Sequence, residues 1–383
     1  MKRKDFLKKG AAAVAGSALL ASGCRPPGWD KEHVAYEEGD AVAQGRKYEW
    51  TMVTTWPPNF PVLGEGCQLF SDMIFAMSGG RMKIKVYGGG ELLPPMEAFD
   101  GVSAGTVQMA NGAAYYWAGK IKAAQFFASV PFGMNAQQMN AWIVRGGGQE
   151  LWDELYAPYD VKPFPSGNTG VQMGGWFNKE INSLADLQGL KIRMPGLGGK
   201  VISAAGASAI NIAGQELYTS LERSIIDAAE WIGPYHDYLM GFHKIAKYYY
   251  YPGWHETGTM LETIVNKSAF EALPLDLQEI IKAAIYWQNV FTISEFEAQN
   301  SGYLTRMINE GVTLRQYPDE VIAELKIKTK EVLQEMIADD EPSRKAYEAF
   351  SKFQKEVSGW ANYSESVYYQ SLMEKVKKAD VIG

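Results

Sequence analysis

Ser183-Leu184-Ala185-Asp186-Leu187-Gln188-Gly189-Leu190-Lys191-Ile192-Arg193-Met194-Pro195-Gly196 is a helix, a turn and a strand in immediate succession. Ser183 has the hydroxyl that caps a helix start, so a short helix is expected over 183–187. Gly189 can take the left-handed conformation that ends it. Residues 190–194 then read as a strand, which Pro195-Gly196 closes. The alternation extends in both directions. Upstream, residues 48–56 are strand-like until Pro57-Pro58-Asn59 stops them. Helical spacing over 63–77 ends at Gly79-Gly80, and Met82-Lys83-Ile84-Lys85-Val86-Tyr87 alternates apolar and polar as a strand does. A helix at 94–104 and a strand at 107–110 follow. Downstream come a Gly/Ala-rich helix at 198–206, a strand at 210–213, a helix at 215–223 and a strand at 225–229. One long helix is expected from 274 to 309, a strand at 312–317, and two Lys/Glu-rich helices at 318–338 and 342–379. This order predicts an α/β fold with mostly parallel sheets.

The first residues have another purpose. Lys2, Arg3, Lys4, Lys8 and Lys9 precede a run of small and apolar residues from 11 to 21, and Ser22-Gly23-Cys24 follows. That is the layout of a secretory signal over 1–23, and its apolar run is too short to span a membrane. Arg3-Lys4-Asp5-Phe6-Leu7-Lys8 resembles a twin-arginine export signal. Ala21-Ser22-Gly23-Cys24 resembles a lipoprotein cleavage box, which implies a lipid on Cys24 and a membrane tether. Ordinary cleavage nearby, giving a free periplasmic protein, is the alternative. Residues 24–46 are polar, carry Pro26, Pro27 and Gly28, and read as a tether.

The chain of 383 residues has a formal charge of −7, and loss of the basic leader makes the remainder more acidic still. Nucleic acid, which asks for a clustered basic face, is excluded as a partner. The length exceeds what one hydrophobic core fills comfortably, so two lobes are expected. Cys24 and Cys67 are the only cysteines, and no disulfide framework is available.

Enzyme signatures fail one by one. Gly196-Leu197-Gly198-Gly199-Lys200 is followed by Val201 rather than Ser or Thr, so it is no phosphate loop. His255-Glu256 lacks the second histidine of a zinc protease, and the four histidines show no ligand spacing. The Gly88-Gly89-Gly90 and Gly146-Gly147-Gly148 runs are turns. A binding protein is favoured over an enzyme. An enzyme on a similar two-lobed scaffold and a purely structural lipoprotein remain the rivals.

The segment 183–196 resembles the signature of TRAP (tripartite ATP-independent periplasmic) transporter receptors. Further matches lie in order around it: Gly79-Gly80-Arg81-Met82-Lys83-Ile84-Lys85-Val86, then 97–110, then Gln215-Glu216-Leu217-Tyr218-Thr219-Ser220-Leu221. The resemblance covers residues 47–310. It implies a two-lobed, hinge-linked periplasmic solute-binding fold with a long helix and a helical C-terminal tail. Lobe I would hold 47–163 and 233–262, lobe II 164–232 and 263–310, with 311–383 packing across both. It also implies a receptor that passes a small carboxylate to membrane permease subunits, with Arg193 anchoring the carboxylate. A guanidinium suits that task, because it presents two parallel donors and keeps its charge when desolvated.

Ala229-Glu230-Trp231-Ile232-Gly233-Pro234 and Pro252-Gly253-Trp254-His255-Glu256 narrow the resemblance to receptors for α-keto acids and calcium lactate. Those bridge protein and substrate with a cation. The implied ligands are Gln172, Glu230, the main-chain oxygen of Trp231, and Glu256, an all-oxygen set suited to Na⁺ or Ca²⁺. A TRAP receptor for another carboxylate, without metal, is the alternative. Trp56, Tyr115 and Tyr116 fall in loops after predicted strands, and Asn168 lies just upstream of Gln172; with Trp231 they complete the expected substrate site. In the tail, Tyr347, Phe350, Phe353, Val357, Trp360, Val367, Tyr368, Leu372 and Val376 form an apolar stripe. It packs either on the protein's own lobes or in a homodimer, since the keto-acid receptors can exchange a C-terminal helix.

Overall fold

The computed structural model describes residues 45–374. The leader, Cys24, the tether as far as residue 44, and residues 375–383 lie outside the described residues. Among the described residues there are eleven strands: β1 (Tyr48–Thr54), β2 (Met82–Tyr87), β3 (Met109–Gly112), β4 (Val161–Asn168), β5 (Gly175–Phe177), β6 (Lys191–Arg193), β7 (Ser208–Ile210), β8 (Ala228–Ala229), β9 (Tyr248–Tyr251), β10 (Met260–Asn266) and β11 (Thr313–Gln316). They form two sheets, ordered β2-β1-β3-β10-β4 and β11-β9-β5-β8-β6-β7.

Mostly parallel strands are expected and are found, with a single reversed strand in each sheet. β1 runs parallel to β2 and β3, and β6 parallel to β7 and β8. β10, however, lies antiparallel to both β3 and β4, and β5 antiparallel to both β8 and β9. The reason is topological. The chain passes from the first sheet to the second after β4, and back again after β9, so each sheet receives a strand arriving from the other. Segment 233–262 accordingly gives Tyr248–Tyr251 to the second sheet and only its final residues to the first.

The crossing segments are tied together. Thr169 N donates to Thr259 O at 3.0 Å, Gln172 N to Glu256 O at 3.1 Å, and Gly174 N to Tyr250 O at 2.7 Å. Side chains alternate across the strands, as the two-residue period demands. Thus Trp176 and Tyr249 enter one hydrophobic core, while their neighbours Phe177 and Tyr250 enter the other. Each core draws residues from both sheets. The 35-residue helix Leu275–Asn309 lays Leu277, Ile281, Ile285 and Phe296 on one of them. The helices Asp319–Asp339 and Glu341–Ala361 cover the other.

Local readings around the signature segment agree well with the structure. Ser183 and Asp186 form a reciprocal capping box on the turn Leu184–Leu187, and β6 follows. The strand expected at 225–229 shortens to Ala228–Ala229, because its neighbour β6 is itself short and pairs only Ile192 and Arg193 with it. The helix expected over 342–379 stops at Ala361. Its first half finds a surface, with the Phe350 ring centroid 5.3 Å from that of Trp142. Beyond Val357 the apolar side chains have none, and helix length depends on such packing.

Two buried acids, Asp237 and Glu262, lie outside the crossing segments and outside the Glu230 strand end among the described residues. The Glu262 carboxylate, on β10, accepts from the Trp117 indole and from the Tyr156 hydroxyl. Burial pushes its pKa up to about 8. An acid raised in this way binds more protons folded than unfolded between its ordinary value and about 8, so stability falls as pH rises through that window. Glu262→Gln keeps both acceptor contacts and removes the titration. Melting temperatures followed from pH 5 to pH 8 should therefore decline less steeply in the variant; parallel curves would show that Glu262 does not carry the effect.

Candidate functional site

The site is built at strand ends. Arg193 is the last residue of β6, and Glu230 and Trp231 leave the neighbouring β8, where Ala229 pairs in register with Arg193. Glu230 N donates to Arg193 O at 3.1 Å, which fixes the two chains side by side as their side chains turn into the interior. Gln172 comes from the β4–β5 crossing, His255 and Glu256 from the β9–β10 crossing. Trp56 follows β1, and the turn Ala114–Trp117 that carries Tyr115 and Tyr116 follows β3.

Arg193 is 1% exposed and Glu230 fully buried. The Arg193 Nη1 donates to the Glu230 carboxylate and, at 2.9 Å, to the Glu230 main-chain oxygen. Its Nε donates to Ile212 O at 3.3 Å and its Nη2 to the Tyr116 hydroxyl at 3.4 Å. The guanidinium carbon stands 5.3 Å from the Trp231 ring centroid. Burial alone would lower the Arg193 pKa, but the surrounding acidic groups, Glu230 foremost, outweigh it and hold the pKa above the ordinary value. The second Glu230 oxygen lies 3.2 Å from His255 Nε2.

Glu256 completes the group. It accepts from Gln172 Nε2 at 2.7 Å and from the Thr259 hydroxyl. Burial, and then the negative charge of Glu230, push its pKa up to about 7. One ligand atom from each of Glu230, His255 and Glu256 lies within 4.8 Å of the others, and all three residues are buried. Buried polar atoms are almost always hydrogen-bonded. Here Gln172 Oε1, Trp231 Nε1 and His255 Nδ1 are buried with no partner among the described residues. An unsatisfied amide oxygen beside two buried acids is the donor set of a hard cation, so the residues present fit Na⁺ or Ca²⁺.

The aromatic residues form one wall. Trp56 packs edge-on to Trp231 at 6.4 Å between centroids and lies 6.2 Å from Tyr116, which meets Tyr115 at 4.9 Å. The Trp56 indole N–H is already committed to Asn111 Oδ1 at 2.6 Å. A cleft of about 660 Å³ adjoins Tyr115 and Tyr116 and is lined further by Met194, Gly196, Lys200 and Met336. Its lining does not include Arg193, Glu230 or Glu256, so the charged cluster lies behind the tyrosines rather than in the cleft.

Not every expected residue joins the cluster. The Asn168 amide is already committed, donating to Gly258 O of the facing crossing segment at 3.2 Å and accepting from Gly170 N of its own turn at 2.9 Å. His255 joins instead, although nothing in its local sequence singles it out beyond its place beside Glu256. A second histidine at metal-ligand spacing would have signalled it; a single histidine on a crossing segment does not.

Residues 52–340 match the family described as bacterial extracellular solute-binding protein, family 7. The chain belongs to that family. It is 38% identical over 369 residues to a monocarboxylate 2-oxoacid-binding periplasmic protein of Nostoc sp., covering 96% of this chain and 98% of the relative. Among solved structures, a TRAP periplasmic solute-binding protein from Pseudoalteromonas atlantica T6c with bound sodium and pyruvate superposes with a TM-score of 0.83 at 42% identity, covering 86% of this chain and 100% of that one. A TRAP transporter solute-binding protein from Bordetella bronchiseptica RB50, a mixed-occupancy dimer with copurified calcium and picolinate, superposes at 0.84 with 35% identity, covering 86% and 98%. The two-lobed fold of this family is therefore the fold of this chain.

The two crossing segments that carry Gln172 and Glu256 approach closely. A Cβ on Gly253 would lie 2.1 Å from the main-chain oxygen of Gln172. Gly253→Ala must push the Gln172 segment away from the one that carries Glu256. Overpacking of this kind costs about 1–3 kcal/mol. Calorimetry should show a melting temperature lower by several degrees, together with weaker ligand binding; an unchanged melting point would mean that the segments separate freely.

Proposed function

We propose that this protein is the extracytoplasmic receptor of a TRAP transporter for a small monocarboxylate, a 2-oxo or 2-hydroxy acid such as pyruvate or lactate, taken up together with Na⁺ or Ca²⁺. The observation that carries the reading is the meeting of a buried guanidinium, two buried carboxylates and an unpartnered amide oxygen. Arg193 offers the substrate carboxylate its two parallel donors. Gln172, Glu230, the main-chain oxygen of Trp231, and Glu256 hold the cation. When bound, the cation supplies the positive charge that lets two acids and an anionic substrate share one interior. Trp56, Tyr115, Tyr116 and Trp231 enclose the ligand, and Asn168 shapes the turn that carries Gln172. The relatives that bind pyruvate with sodium, or 2-oxoacids, support this assignment at 42% and 38% identity.

The remaining roles follow from that reading. The two lobes, about 47–168 with 260–274 and about 169–259 with 310–317, close on the ligand around the crossing segments and exclude water. The ligand leaves unchanged, to membrane permease subunits, so the protein binds and does not catalyse. The leader directs export, by the twin-arginine route, and Cys24 carries a lipid that holds the receptor at the membrane.

Calorimetry with pyruvate tests the site. Arg193→Lys keeps the charge but loses the fork, and affinity should fall by about 1.5–3 kcal/mol, the scale of a charged hydrogen bond. Binding by wild type should also weaken in chelated, Na⁺-free buffer. Undiminished affinity in the variant, or full affinity without cation, would overturn the respective assignment. Mass spectrometry of the released ligand should return it unaltered.

The distal tail is proposed to meet a second copy of the chain. The near half of the stripe packs on the protein itself, with Tyr347 and Phe350 against Phe126. The far half does not: Trp360 is 70%, Tyr363 83% and Leu372 72% exposed. Apolar exposure on this scale marks an interaction surface, and the Bordetella relative is a dimer. Light scattering should find a dimer that becomes monomeric when the chain is ended near residue 358. A full-length monomer at micromolar concentration would refute it.

A further inference from the structure

We propose that Glu230 is an internal competitor for Arg193, so that the substrate anchor is released only when the Glu230 carboxylate is engaged elsewhere. The proposal rests on the receptor reading above and adds to it an order of events: cation first, carboxylate second.

A guanidinium presents its donors in a planar fork, and a carboxylate recognised bidentately needs two adjacent ones. In Arg193 one of the two terminal nitrogens, Nη1, is held by Glu230, through both its carboxylate and its main-chain oxygen. Nη2 reaches only the Tyr116 hydroxyl, at 3.4 Å. The more weakly held end of the fork is therefore Nη2, while Nη1 already has a carboxylate and a main-chain oxygen on it. Chemically that carboxylate is what a small carboxylic acid would bring. Arrival of the substrate exchanges like for like, and a displaced Glu230 would be a buried charge without a counter-ion, which is costly.

Glu230 has a second set of neighbours that can relieve this cost. Its other oxygen meets His255 at 3.2 Å, and Glu256 lies within the same group of candidate ligands. The unpartnered Gln172 Oε1 belongs to that side as well, since the Gln172 amide nitrogen donates to Glu256. A Glu230 committed to a cation on this side has a new counter-charge and gives up its hold on Nη1. Arg193 does not move in the exchange, because the main-chain oxygen of Glu230 and the Ile212 oxygen still hold it. The cation requirement then has two parts, a bridge to the substrate and the removal of a rival, and only the second depends on Glu230 carrying a negative charge toward Arg193.

The two parts separate by a reversal of sign. Glu230→Gln retains the main-chain contact and a neutral acceptor but no longer forms an ion pair. Calorimetry is run with pyruvate as probe in chelated, Na⁺-free buffer and again with saturating Ca²⁺ or Na⁺, and Ca²⁺ is titrated alone into each protein. In cation-free buffer the variant should bind pyruvate about tenfold or more tightly than wild type, the scale of one charge-assisted hydrogen bond. With cation present it should bind more weakly than wild type, and it should lose the Ca²⁺ isotherm. Glu230→Ala, checked for folding by circular dichroism, should repeat the cation-free gain. If both folded variants bind pyruvate no better than wild type without cation, Glu230 is a ligand and not a competitor, and the proposal falls alone. If wild type fails to bind pyruvate in the presence of either Ca²⁺ or Na⁺, the receptor reading falls and takes the proposal with it.

Discussion

Charge removed from water has to be answered locally, and at the centre of this protein one guanidinium is answered by two carboxylates. Removing one partner of a buried pair typically costs about 3–5 kcal/mol, because the other is left without compensation. Arg193 and Glu230 are placed so that neither is alone: adjacent parallel strands deliver them side by side, Glu230 N donates to Arg193 O, and the Arg193 guanidinium donates back to the Glu230 main-chain oxygen. Glu256 is the surplus anion. Its raised pKa is the mark of a group that the fold buries at a cost and that a positive partner would offset.

Everything that reaches this centre does so from a different part of the chain. β6 and β8 bring the ion pair, the two crossing segments bring Gln172, His255 and Glu256, and the loops after β1 and β3 bring the aromatic wall. The crossings are hydrogen-bonded to each other, and Gly253 lets their backbones touch. In the proposed closure, a movement of one lobe against the other must bend at the very residues that hold the ligands. On that proposal binding and closure would be one event, since Gln172 and Glu256 belong to the crossing segments themselves.

The structure also tolerates local disagreement with ordinary rules at the site. Gln172 Oε1, Trp231 Nε1 and His255 Nδ1 are buried without a partner, as are eleven other side-chain atoms among the described residues; what sets these three apart is that they lie beside the Arg193–Glu230–Glu256 charges. Glu262 differs in kind. That acid is just as buried, but its neighbours are an indole and a phenol that donate to it, and it has no guanidinium opposite.

Much of the architecture was legible in the residues alone. The capping serine at 183, the glycines that end helices, and the alternation at 82–87 are local features with local consequences, and the elements they imply are present with shifts of a residue or two. The signature around Arg193 and the acid–tryptophan segments likewise pointed to residues that the fold brings into one buried cluster. What no local pattern contains is which strand lies beside which. The antiparallel placement of β5 and β10 follows from the chain passing between the sheets after β4 and after β9, and the end of the tail helix at Ala361 follows from where packing surface runs out. His255 against Glu230, Asn168 bonded across to Gly258, and Glu230 occupying Arg193 are of the same kind. Periodicity and capping act over a few residues and are written in sequence; charge compensation and strand order act between residues distant along the chain, and only the packed structure decides them.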